Sequence, residues 1–123
     1  MEDRAKLVEV LEQEGFDIGQ AMEICADDMD LYMEVLETAL EEGMRKLPKI
    51  EEYMEHRDYE RYHIEVHALK NAMLAIGATE LSALAFEQEK AVREGNQKSI
   101  EAGYEVFVGK YWKLLELLKE LMS

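Results

Sequence analysis

The chain has 123 residues, 48% of them hydrophobic and 34% charged, enough for one domain with a real core and too few for two. Its 28 acidic and 14 basic residues leave a net charge of −14, a surface that repels nucleic acid and anionic membrane and argues against both as partners. The one cysteine, Cys25, excludes an internal disulfide and fits a cytoplasmic location. No apolar run is long enough to span a bilayer, and Met1-Glu2-Asp3 is not the start of a signal peptide.

There is a single proline, no Ser/Gly-rich linker and no period-two run of Val, Ile and Thr, so the chain is predicted to be all-helical. A first helix is expected from Asp3 to about Glu14, with Leu7, Val8 and Leu11 on one face and Gly15 ending it. Asp17 then caps a short helix, with Gln20 three residues on as in a capping box, and Ile18, Met22 and Ile24 dock it. Cys25 reads as a small buried hydrophobe. These pieces, residues 1–26, are expected to form a lid on one end of a bundle made by residues 27–123.

Asp27 or Asp28 caps the next helix, which carries Tyr32, Leu36 and Leu40 inward and continues past Leu47, Ile50 and Met54. Pro48 removes a backbone donor and clashes with the preceding turn, so a bend or break is expected near Gly43 to Leu47. Asp58 caps a helix in which Tyr62, Val66, Leu69, Met73 and Ile76 make one apolar stripe, and Gly77 stops it. A further helix runs from about Thr79 to Glu94, with Leu81, Leu84, Ala85 and Val92 apolar, and Gly95-Asn96 turns the chain. The last helix repeats Ile100, Tyr104, Phe107, Tyr111, Leu114, Leu118 and Leu121 in fours and threes. That period predicts near-parallel packing, the geometry of an antiparallel four-helix bundle with short connections.

The stripe of the Asp58-capped helix leaves His67 and Lys70 on its solvent side. His63, Ile64, Asn71 and Leu74 lie within one or two turns of His67. An exposed neutral imidazole has a nucleophilic nitrogen, and Lys70 one turn on can set a cation beside transferred phosphoryl oxygens. His63 and His67, four apart, also admit a metal reading, but Ile64 stands where a zinc-protease motif needs Glu and no third ligand is evident beyond Glu89. No dedicated metal site and no cofactor are therefore expected. No Gly-rich loop or Walker lysine is present, so any phosphoryl group must arrive from another protein.

His67-Ala-Leu-Lys70, followed by Gly77-Ala78, resembles the signature of histidine-containing phosphotransfer (HPt) domains. Leu81, Leu84, Ala85 and the closing Arg93-Glu94-Gly95-Asn96 extend the likeness, as do Asp30-Leu31-Tyr32, Leu36, Leu47-Pro48 and Asp58-Tyr59 upstream. It covers about Phe16 to Asn96. The resemblance implies a phosphorelay carrier that takes phosphoryl on His67 from response-regulator receiver domains or a hybrid sensor kinase and passes it on. The receiver would supply Mg²⁺. Lys70 would support the phosphoryl group, with Ile64, His63, Asn71 and Leu74 as the contact rim. The family's Gln or Glu against the imidazole corresponds to Glu89, twenty-two residues after the histidine. There it either orients the ring or is an ordinary solvated glutamate. One departure is Asn71, where the family usually has Gly. It motivates a second reading, a helical module that docks receivers without taking phosphoryl.

Overall fold

The computed structural model describes residues 2–123, with side chains described from Arg4 onward, and contains six helices and no strand among them. They are α1 (Glu2–Gln13), α2 (Ile18–Ile24), α3 (Met29–Glu55), α4 (Tyr59–Ala75), α5 (Thr79–Arg93) and α6 (Gln97–Met122).

One local device recurs at the connections. A left-handed residue ends a helix; at Arg57 and Gly95 an Asp or Asn at once caps the next, while after Gly77 the chain enters α5 through Ala78 with no side-chain cap. Gly77 (φ 85°) and Gly95 (φ 66°) serve as glycines should; Arg57 (φ 54°) does the same with a side chain. The bonds that close these ends run back five residues, Ala78 N–H to Met73 O (2.9 Å), Asn96 N–H to Ala91 O (2.9 Å) and Asp58 N–H to Tyr53 O (2.8 Å). The carboxylates of Asp17, Asp28 and Asp58 and the Asn96 amide oxygen each accept a backbone N–H three residues on. Each such cap is worth about 1 kcal/mol.

Between α4 and α5, Lys70 faces Ser82, His67 faces Glu89 and Tyr62 faces Gln88, so the two run antiparallel. Glu80 pairs with Lys110 and Gln88 lies by Gly103, so α5 and α6 are also antiparallel. α3 closes the ring against α4 and α6. Tyr32, Leu36, Leu47, Tyr62, Val66, Phe107, Leu115 and Leu118 are fully buried at its centre. Leu7, Leu11, Phe16, Ile18, Ala21 and Cys25 join the same core from α1 and α2.

Four expectations need correction. Of the bend or break expected near Gly43 to Leu47, the break is absent: α3 runs as one helix through Pro48. Pro48 and Met44, whose carbonyl loses its donor, are both exposed, so water can satisfy that oxygen; the residues either side, Leu47 and Ile50, are buried. Burying two such side chains is worth roughly 3–6 kcal/mol and outweighs the roughly 3 kcal/mol a helical proline costs. Ile24 is 52% exposed rather than docked. The inward stripe of α2 is Ile18, Ala21 and Cys25, and Ile24 is turned well away from it. Leu40 is only half-buried, because Ala39 takes the central position. The capping box at Asp17 is half made: Gln20 N–H reaches the Asp17 carboxylate, but the Asp17 N–H donates to Gly77 O (2.8 Å) instead of to the Gln20 side chain.

Candidate functional site

The α4 stripe of Tyr62, Val66, Leu69, Met73 and Ile76 is entirely buried. Its opposite side therefore faces out, and His67, Ile64 and Asn71 are exposed there, with His63, Lys70 and Leu74 half-buried. The His67 side chain is 57% exposed. The His63 ring is stacked on it, 6.4 Å between centroids and 14° from parallel. Ile64, at 60%, is an exposed apolar side chain beside them. Gly77 lies further along, buried, where a Cβ would come within 2.5 Å of Asp17 O. It positions the turn and the Asp17 segment rather than the imidazole.

Glu89 of α5 is not a solvated glutamate: it is 2% exposed. One of its oxygens is hydrogen-bonded to His67 Nδ1. Lys70 Nζ donates to the same carboxylate, 3.2 Å to Oε1 and 3.4 Å to Oε2, and Arg93 Nη1 stands 3.8 Å from Oε1. Burial alone would push the Glu89 carboxyl up. The hydrogen bonds and charges of His67 and Lys70 overcome this and hold it below the usual carboxylate range. Glu89 is therefore an anion taken out of water and compensated by cationic donors on two helices.

This arrangement fixes the chemistry of the ring. A carboxylate only accepts, so Nδ1 must carry the hydrogen. In the neutral imidazole the lone pair is then on Nε2, on an exposed side chain. Among the described residues, no group of three or more His, Cys, Asp or Glu side chains is placed to hold a metal ion.

Two further side chains at the site escaped the sequence reading. Phe86 of α5 is 41% exposed, and Lys70 Nζ lies 5.6 Å from its ring centroid. Arg93 was visible only as part of a helix end. Both follow from Glu89 by helical spacing, three before and four after, once Glu89 is known to face α4. The site is not a cavity. A groove of about 460 Å³ lies elsewhere, between the α1–α2 turn, the start of α5 and α6, and a 90 Å³ pocket lies between α3 and α4; neither includes His67.

Residues 20–123 match the sequence model of the Hpt domain, which begins within α2. No curated protein sequence matches the chain. In structure the chain is similar to an X-ray structure from rice, described as a histidine-containing phosphotransfer protein. That likeness has a TM-score of 0.66 over 99% of this chain and 95% of the other, at 13% identity, so it speaks for the fold alone.

Proposed function

Because the chain belongs to the Hpt domain family, a membership that supports a phosphotransfer carrier role in two-component signalling, we propose that His67 is the residue that carries the phosphoryl group. Nε2 attacks the phosphorus of an aspartyl phosphate on a receiver domain. The N–P bond forms as the P–O bond to the aspartate breaks, and the aspartate leaves as a carboxylate. No proton has to leave the attacking nitrogen, since it already holds a lone pair. Positive charge grows on the ring as the bond forms, and the Glu89 carboxylate at Nδ1 is placed to stabilise it. Lys70 balances the anion behind the ring and sets a cation near the incoming phosphoryl oxygens. Mg²⁺ belongs to the receiver. Transfer onward to a second receiver is the reverse.

The observation that carries this reading is the exposed imidazole whose Nδ1 is held by a buried carboxylate. A nucleophile this exposed suits a protein donor better than a small molecule, which would need a pocket. Ile64, Phe86 and Leu74 supply apolar contact around the nucleophile, with His63 and Asn71 at the rim. No described helix is long and apolar enough to cross a membrane, and a cytoplasmic location goes with this reading. The test is phosphoryl uptake from a charged receiver with Mg²⁺, read as acid-labile, base-stable label. Wild type should take label and His67→Gln none; equal labelling of the two would end the proposal.

Asn71 supports one alternative. It is exposed one turn from His67, where the family usually has no side chain. If it crowds the receiver, the chain docks without transfer. Binding to receivers undiminished in His67→Gln, with label appearing only in Asn71→Gly, would favour that reading.

A further inference from the structure

Glu89 meets His67 only if α5 is rotated correctly about its axis, and its sequence neighbour bears on that rotation. Gln88 is 2% exposed. Its side-chain oxygen accepts the hydroxyl of Tyr62, a fully buried residue of α4. Its amide nitrogen lies against Gly103 of α6, where a Cβ would stand only 2.5 Å from Nε2. Tyr62 is itself held by the Tyr104 ring, edge-on at 6.0 Å. Burial, and secondarily Tyr104, push the Tyr62 hydroxyl above its usual range, so it remains a donor.

We propose that Gln88, held between the Tyr62 hydroxyl and the space left by Gly103, is a positioning residue that sets the rotation of α5 so that Glu89 reaches His67 Nδ1. This rests on the orienting role given to Glu89 under Proposed function. Residues 88 and 89 point about 100° apart on the helix, one toward the α4–α6 interior and one toward the imidazole. A bond that fixes the first direction fixes the second. Ser82 Oγ, donating to Lys70 O at 2.8 Å, tethers the same two helices on the other side of the site. The Gln88 amide is the end of a flexible side chain, so a methyl at 103 need not move α6. It displaces the amide, and the Tyr62 bond goes with it.

The experiment is ¹⁵N NMR of the full chain, reading the ratio of Nδ1–H to Nε2–H tautomers of His67 at about pH 8.5, where an ordinary imidazole is neutral. Wild type should be mainly Nδ1–H. Tyr62→Phe, which removes one oxygen, and Gly103→Ala should each lower the ratio about fivefold, the size that loss of one hydrogen bond sets. Gly109→Ala is the control on the same helix, since nothing lies within 4 Å of its Cβ. A ratio unchanged in Tyr62→Phe and Gly103→Ala, while Glu89→Ala lowers it, would overturn the proposal and leave the role of Glu89 standing. An unchanged ratio in Glu89→Ala itself would overturn both. An equal drop in Gly109→Ala would show that the ratio responds to any added methyl on α6 and also overturn it. Should Gly103→Ala not fold, Tyr62→Phe decides alone.

Discussion

The two seams on opposite sides of this bundle are built differently. Where α3 meets α6, Gly43 lets the helices approach so closely that an added Cβ would fall 2.4 Å from Leu115 Cδ2 and 3.0 Å from the Tyr111 hydroxyl. That seam is mainly apolar contact. Where α4 meets α5, Ser82, Gln88 and Glu89 are buried, and the helices are joined by hydrogen bonds and a charge cluster. Close apolar packing has no group that titrates. A buried carboxylate does titrate, and here it is hydrogen-bonded to the exposed imidazole of His67. The first seam is held by shape and the second by directed polar contacts as well.

Mutations should separate the two. Leu115→Ala opens a cavity in the apolar seam and should cost about 2–5 kcal/mol in denaturant unfolding, with phosphoryl uptake per folded molecule unchanged. Glu89→Ala should reach the chemistry as well: uptake per folded molecule from a charged receiver slows about a hundredfold because the ring loses its orientation. A rate within twofold of wild type would remove the carboxylate from the proposed chemistry. Gly43→Ala should cost about 1–3 kcal/mol by overpacking Leu115, again with no change in uptake by the folded chain.

A pH series sharpens the contrast. The folded Glu89 carboxyl lies below its ordinary range, so its ionised form is favoured by folding. Its stabilisation is full above the unfolded value of about 4.3 and is lost as pH falls through the folded value. The stability difference between wild type and Glu89→Gln should therefore shrink in acid, while that for Leu115→Ala should hold across the same range. The smallest effect is at Arg93, whose side chain is 59% exposed at 3.8 Å from Glu89. Arg93→Ala should cost under about 1 kcal/mol, and less still at high salt.

Much of this was legible from residues alone. The α4 stripe, the stop at Gly77, the burial of Cys25 and the exposure of His67 follow from spacing and turn chemistry, which are properties of one helix at a time. What spacing does not carry is register between helices. Glu89 looks like its neighbour Glu87 until α5 is seen to turn it toward α4, and Phe86 and Arg93 are hidden for the same reason. The continuity of α3 was masked differently: the local penalty at Pro48 is visible in the sequence, but the burial of Leu47 and Ile50 on either side of it is a tertiary quantity. Ile24 was misplaced because a helix of 7 residues is too short for its period to be read reliably.

The bond from Asp17 N–H to Gly77 O joins the α1–α2 connection to the α4–α5 turn through main-chain atoms only. Evolution can therefore rewrite the side chains of α1 and α2 without breaking that join, as long as the apolar positions are kept. Length is another matter. One residue inserted between Gly15 and Asp17 would move the donor out of reach, while the same insertion at the Gly95 turn would disturb no such link. Homologues should accordingly vary freely in the spelling of this region and sparingly in its count of residues.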